Sequence, residues 1–403
     1  MNTETDRLPR RAIRGRTSLL RPLLLSGLLL GGLGLNGAEA QRGAGAAVTA
    51  QVALPQKPAL NGEPGPSKPL SEAETQKLGA LFAKVRPATL RIEQCNPRVA
   101  RACDDPDGIG SAVLISADGL ALTAYHVIER AENLSAQTLN KKRYAVEVVG
   151  YDDQYDLALL RVAVPKGTPF LPLASARPGI GDAVLAVGNG GGAFLASKVG
   201  RLTGLDADAG RADFPPGTLQ MNAPLVPGDS GGPILNVRGE LTGIVSYISL
   251  GQGRERSSFA VPVTTYDARL AALRTGTKRD APVIGVTLDN RFNWAFMLDE
   301  DGFEYFSNLL NLGQVPGAFF SGVSQDSPAQ KAGLKPLVLN GQDQRISGDI
   351  VTEVNGKRVL NFSEFQYAVR TYAPGDTVIL TVLRGPNTLK IPLKLIGRST
   401  IGN

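Results

Sequence analysis

The heptapeptide Pro227-Gly228-Asp229-Ser230-Gly231-Gly232-Pro233 constrains this chain more than any other stretch. Glycines on either side of one serine let the backbone take positive φ angles and bring its N–H groups close to a bound group with no Cβ in the way. A serine hydroxyl is a weak nucleophile at neutral pH, so a reactive serine needs a base beside it and donors for the oxyanion created by its attack. The N–H groups of Gly228 and Ser230 are the candidate donors. The chain has one histidine, His126, and any Ser-His chemistry falls on it. An orienting carboxylate is expected as well. Asp152, Asp153 and Asp156 are clustered, and Asp156 is preferred because the apolar run Leu157 to Val162 begins directly after it. The plain structural reading of the same residues is a glycine turn and a satisfied core histidine.

The order His126, Asp156, Ser230, with GDSGGP around the serine and DLALLRV from the aspartate, resembles the chymotrypsin-like serine proteases. More narrowly, it resembles the HtrA/Deg group, in which a trypsin-like domain precedes a C-terminal PDZ domain. The resemblance covers roughly residues 88 to 397. It implies a mainly β fold, a chymotrypsin-like double β-barrel followed by a PDZ domain, with His126 and Asp156 on the first barrel and Ser230 on the second. It implies Ser230 as nucleophile, His126 as general base, Asp156 as the group orienting the imidazole, and Gly228 and Ser230 as the oxyanion hole.

Val245-Ser246-Tyr247 resembles the strand whose backbone pairs with substrate, which makes Ser246 and Tyr247 candidate substrate-binding residues and Ser246 a candidate support for Asp156. Six residues before the serine, where trypsin-like enzymes carry an aspartate, stands Pro224, so a basic preference is not expected. Leu225, Val226 and Ile248 suit small or medium aliphatic side chains. In the C-terminal part, Ser327 to Leu334 and Gly348 to Lys357 match PDZ motifs in order. Val283-Ile284-Gly285-Val286 resembles the carboxylate-binding loop, so Ile284, Gly285 and Val286 are expected to receive peptide C-termini by strand addition. A homotrimer is also implied by the family.

The residues support the β reading independently. Thr89 to Ile92, Gly110 to Ile115, Leu120 to Thr123, Ala145 to Val149, Leu157 to Val162, Ala183 to Val187 and Leu241 to Val245 are short apolar runs broken by Gly, Asp and Pro. Such a series argues for a barrel or sandwich. Ahead of it, Ser71 and Glu74 form a capping-box pair before an amphipathic helix carrying Leu78, Leu81, Phe82 and Val85 and ending at Pro87. Later, a helix is expected from Ser363 with Gln366 as its capping partner. Gly188-Asn189-Gly190-Gly191-Gly192 reads as a mobile loop beside the site or as simple turn geometry. An insert at 287–317 holds Trp294, Phe296, Phe303, Tyr305 and Phe306, and reads as a lid on the groove, an added apolar contact, or a cover for the domain.

The chain is expected to comprise a signal peptide (1–40), a flexible linker (41–70), a trypsin-like domain with its N-terminal helix (71–275) and a PDZ domain (281–397). The first segment has a basic stretch through Arg21, an apolar run from Pro22 to Leu35 and Ala38-Glu39-Ala40 at its end, the pattern of a cleavable export signal. An uncleaved membrane anchor is the alternative. The net charge of +6 does not imply nucleic acid, because residues 1–40 carry six arginines against Glu4, Asp6 and Glu39, and the remainder is nearly balanced. Export favours a Cys95–Cys103 disulfide over a metal site, since no histidine or further cysteine lies nearby. No metal or organic cofactor is implied. The function expected is an exported, periplasmic or secreted, serine endopeptidase acting on exposed or unfolded polypeptide. The alternative is a PDZ-containing scaffold of weak or absent activity.

Overall fold

A computed structural model describes residues 68–401 apart from 96–102, 104–105, 130, 132, 208–213, 251–255, 290–291 and 293–298. The expected signal peptide, nearly all of the linker, Trp294 and Phe296 lie outside the described residues. Helix α1 (Glu72–Val85) starts where the sequence indicates: Glu74 N–H donates to the Ser71 hydroxyl at 3.3 Å and Ser71 N–H donates to the Glu74 carboxylate at 2.8 Å. Its buried Leu78 and Val85, with Leu81 and Phe82, pack on the core of the barrel that follows.

Six strands close the first barrel: β1 (Thr89–Gln94), β2 (Gly108–Leu114), β3 (Leu120–Thr123), β4 (Leu134–Gln137), β5 (Arg143–Asp152) and β6 (Leu157–Val162). They run in the order β5-β4-β1-β2-β3-β6, and β6 pairs back onto β5. Closure leaves no free edge on the ring. The second barrel closes in the order β10-β11-β12-β9-β8-β7 from β7 (Ala183–Gly188), β8 (Ala196–Ala207), β9 (Thr218–Met221), β10 (Pro233–Leu235), β11 (Leu241–Leu250) and β12 (Arg256–Pro262). Fully buried Leu90, Ile92, Leu122 and Leu159 fill the first barrel, and Val184, Leu202, Leu219, Met221 and Ile234 fill the second.

Polar contacts clasp the seam between the barrels. Ser111 of β2 donates its N–H to the Ser230 carbonyl at 2.8 Å and its hydroxyl to the Gly228 carbonyl at 2.9 Å. Asn189, 2% exposed, donates its side-chain amide to the carbonyls of Leu90 (3.3 Å) and Gly110 (3.2 Å). Gly231, at φ 82°, closes so tightly on this seam that a Cβ there would lie 2.1 Å from the Ser111 carbonyl oxygen and 2.2 Å from Thr123 Oγ1. Gly231→Ala is therefore expected to cost roughly 2–4 kcal/mol, combining overpacking with a strained φ, a loss that a urea unfolding curve would measure.

Helix α2 (Ala268–Arg274) packs on β5, and β13 (Lys278–Arg279) adds to that strand in parallel. The C-terminal domain follows with β14 (Pro282–Val283), β15 (Val286–Thr287), α3 (Glu300–Leu310), β16 (Ala318–Phe319), β17 (Gly322–Val323), α4 (Pro328–Lys331), β18 (Val338–Leu339), β19 (Arg345–Ser347), β20 (Ile350–Val354), β21 (Lys357–Arg358), α5 (Phe362–Arg370), β22 (Thr377–Arg384), β23 (Asn387–Lys394) and β24 (Ile396–Gly397). Its main sheet runs β16-β20-β22-β23, and β24 pairs with β14.

Helix α5 begins one residue earlier than the sequence suggests. Glu364 N–H donates to the Asn361 side chain at 2.9 Å and Leu360 N–H to the Glu364 carboxylate at 2.9 Å, so Asn361 and Glu364, not Ser363 and Gln366, make the cap. The register matters because it buries Phe362, Phe365, Ala368 and Val369 in the domain core. Within the insert, Phe292 and Phe303 join Leu312, Phe319, Leu337 and Ile350 in a separate apolar cluster. Of the readings offered for the insert, this arrangement matches a cover for the domain.

Candidate active site

Strands β3 and β6 are neighbours, and their register sets Thr123 opposite Ala158. His126 lies in a short 3₁₀ turn (Tyr125–Val127) just past β3, and Asp156 directly precedes β6. Two residues separated by 30 positions are thereby brought together: Asp156 Oδ2 is 2.9 Å and Oδ1 3.0 Å from His126 Nδ1. Oδ1 also accepts the backbone N–H of His126 at 2.9 Å. The other two clustered acids are engaged elsewhere. Asp152 pairs with Arg279 at 3.2 Å, and Asp153 accepts Ala281 N–H at 3.0 Å and pairs with Arg398 at 3.2 Å.

A fourth group reaches the carboxylate from the second barrel. The pairing of β11 with β12 slips between Val245 and Tyr247, leaving Ser246 as the additional residue of a bulge. Bulges re-aim side chains, and the Ser246 hydroxyl donates to Asp156 Oδ2 at 2.5 Å. Burial disfavours the charged imidazole, but the Asp156 carboxylate and its hydrogen bond outweigh that and hold His126 above its ordinary pKa. For Asp156 burial pushes the pKa up, and the charge of His126 with the donors from His126 and Ser246 more than offsets it, leaving the carboxyl below its usual range. The His126 side chain remains 43% exposed, open to a group arriving from the cavity.

That cavity, of about 290 Å³, is lined by His126, Asp156 and Ser230 together with Phe214, Leu225, Val226, Tyr247 and Ile248. Its wall is built from aromatic stacking. The Tyr247 ring lies between Phe214, at 4.2 Å between centroids, and Phe259, at 4.5 Å, with its hydroxyl 3.2 Å from Thr218 Oγ1. The Ser230 hydroxyl shares the cavity with the imidazole, but its hydrogen bond runs to the Ser246 carbonyl at 3.4 Å and not to His126. In the turn itself, Asp229, Gly231 and Gly232 donate their N–H groups to Val226, Val245 and Asp229 carbonyls. Among the described residues, the N–H groups of Gly228 and Ser230 have no acceptor, so the turn presents two unspent donors at the serine.

Sequence reasoning placed His126, Asp156 and Ser230 in one region and missed three supporting residues. Ser111 and Asn189 clasp the seam, and Lys198 approaches the turn from β8. Their neighbours in sequence carry no signal: Ser111 and Asn189 act across the barrel interface, and Lys198 reaches Asp229 from a different strand of the second barrel. In the C-terminal domain a second cavity, of about 260 Å³, is lined by Ile284, Gly285, Val286, Phe362, Phe365 and Val369. The chain's own Ile401 also lines it, close enough to Gly285 that a Cβ there would lie 3.3 Å from Ile401 Cδ1. Arg398 lines both cavities.

Comparison with known proteins gives the same two parts. Residues 110–244 match the model of a trypsin-like peptidase domain and residues 282–395 that of a PDZ domain. Protease Do-like 1, chloroplastic, of Arabidopsis thaliana is 31% identical over 296 residues, 72% of this chain and 64% of that protein. The periplasmic pH-dependent serine endoprotease DegQ of Escherichia coli is 30% identical over 295 residues, 72% of this chain and 59% of that protein. The chain thus spans somewhat under two thirds of the length of these relatives.

Proposed function

Since the chain is HtrA/Deg-like, a trypsin-like serine protease domain followed by a PDZ domain, we propose that it is an exported endopeptidase cleaving exposed or unfolded segments of other proteins. In this reading His126 takes the proton of Ser230 as the hydroxyl attacks a peptide carbonyl, and returns it to the leaving amine. Asp156, steadied by Ser246, holds the imidazole so that Nε2 is the basic nitrogen. The N–H groups of Gly228 and Ser230 receive the oxyanion, and the aromatic and aliphatic wall takes an apolar side chain next to the scissile bond. Water then releases the acyl group by the reverse sequence of proton transfers.

The observation that carries the proposal is the coincidence, in one cavity, of an Asp156-bound imidazole and the Ser230 residue, whose turn holds the unspent N–H groups of Gly228 and Ser230. The name of the Escherichia coli relative supports a periplasmic setting, and among the described residues no helix is long and apolar enough to cross a membrane. The Ile284–Val286 groove is proposed to bind peptide C-termini, with the chain's own Ile401 as the group a ligand displaces. The second reading, a peptide-binding scaffold of low activity, draws on the Ser230 hydroxyl facing the Ser246 carbonyl at rest. Catalytic hydrogen bonds often tighten only when substrate binds, which favours the first.

Incubation with unfolded casein separates the two. Cleavage by the wild type and none by Ser230→Ala supports the endopeptidase, whereas equal behaviour of the two proteins contradicts it. The pH dependence follows from the raised His126 pKa. The imidazole accepts a proton only when neutral, so kcat/KM is expected to rise through a pKa above the usual ~6.5 and then level off. A limb lying below that value would contradict the Asp156 contact.

A further inference from the structure

We infer that Lys198 is a positioning residue of the oxyanion site, acting through Asp229; the inference rests on the endopeptidase reading above. Asp229 stands between the two residues whose N–H groups are unspent, and its side chain is 3% exposed. Its Oδ1 accepts Gly190 N–H at 2.9 Å and its Oδ2 accepts Val226 N–H at 2.9 Å, while the Lys198 ammonium pairs with Oδ2. The carboxylate fits so closely that a Cβ at Gly190 would lie 2.4 Å from Oδ2 and one at Gly188 would lie 2.5 Å from Oδ1. This contact accounts for the glycines of the 188–190 segment, which the sequence leaves as either a mobile loop or a turn. One side chain therefore ties the 188–190 segment to the 226–230 turn.

A carboxylate so enclosed needs a cation, because two N–H donors alone do not offset the loss of water around a charge. Lys198 supplies it from β8, where the pairing with β7 sets it opposite Ala186. The lysine does not line the active-site cavity. Its influence on the reaction passes through the turn: without the ammonium, the unpaired Asp229 carboxylate leaves its seat for water. That movement removes the acceptors of Gly190 and Val226 and shifts the peptide units that carry the Gly228 and Ser230 donors. Such donors stabilise an oxyanion only within about 2.7–3.1 Å of it.

The test is steady-state cleavage of a peptide substrate by the full chain, with kcat expressed per folded molecule from a thermal melt. Lys198→Met is expected to lower kcat on the order of 10²-fold, the scale of losing one oxyanion donor, with KM changed by no more than about twofold. Lys198→Arg, which keeps a cation beside the carboxylate while both Asp229 oxygens still accept Gly190 N–H and Val226 N–H, should retain most of the activity that Lys198→Met loses. Wild-type kcat in Lys198→Met, a loss accounted for by unfolded protein, or a Lys198→Arg variant no better than Lys198→Met would overturn the inference alone. A wild type that neither cleaves peptides nor reacts at Ser230 overturns the endopeptidase reading and the Lys198 inference with it.

Discussion

Ser230→Ala is expected to lower kcat for peptide cleavage on the order of 10⁶-fold, with little change in substrate binding. The substitution removes the nucleophile and nothing else. The Ser230 N–H is a backbone group and survives, as does the Ser230 carbonyl that accepts from Ser111. His126→Ala should fall to a similar floor, and the double variant should be no slower than either single one. Residues acting as one unit in proton transfer lose their whole contribution when any essential member is removed. Additive losses would mean that the two side chains serve separate steps. Thermal melts of Ser230→Ala close to the wild type would confirm that the loss is chemical, since the hydroxyl makes a single long contact, to the Ser246 carbonyl at 3.4 Å.

Asp156→Asn comes next in size, with kcat expected to fall about 10⁴-fold. An amide can offer Nδ2–H to the ring and thereby favour the tautomer in which Nε2 carries the proton, the wrong one for a base facing Ser230. It also removes the charge that holds the imidazole pKa up while leaving the burial that pulls it down. The remaining activity should therefore show its acid limb at lower pH than the wild type. A change in rate without that displacement would assign Asp156 a packing role. The Ser246 hydroxyl, which donates to the same carboxylate at 2.5 Å, ties this effect to the second barrel.

The features legible in the sequence are those that depend on neighbours in the chain. Short apolar runs broken by Gly, Asp and Pro marked β1, β2, β3, β5, β6, β7 and β11, and the capping box at Ser71 and Glu74 marked α1. The sole histidine and the glycine-flanked serine drew attention because their chemistry has few alternatives. Strand β8 escaped, since Gly200 and Gly204 and its polar positions interrupt any period-two pattern. The bulge that aims Ser246 at Asp156 depends on strand register, which no local pattern encodes. Ser111, Asn189 and Lys198 gain their roles only when the barrels close on each other or when β8 lies beside β7. At α5 the competing caps, Asn361 and Ser363, are two residues apart and intrinsically similar in strength; the Asn361 side chain, which accepts Glu364 N–H, and the Glu364 carboxylate, which accepts Leu360 N–H, fix the start.

Arg398 is a physical link between the two cavities. Arg398 follows β24, lines both, and pairs with Asp153 beside the tyrosine that precedes His126 in the first barrel's turn. The backbone there is held as well: Arg398 N–H donates to the Ala281 carbonyl at 2.9 Å, and Ala281 N–H donates to Asp153 at 3.0 Å. The groove and the active site are thus joined by a partly buried ion pair and two hydrogen bonds.

The most direct measurement is reaction of the folded chain with a fluorophosphonate, followed by peptide mapping of the adduct by mass spectrometry. An imidazole-activated serine with two oxyanion donors predicts one adduct, on Ser230, that is lost in His126→Ala and in acid-denatured protein. A folded protein that gives no adduct, or carries it on another serine, contradicts the proposed activity.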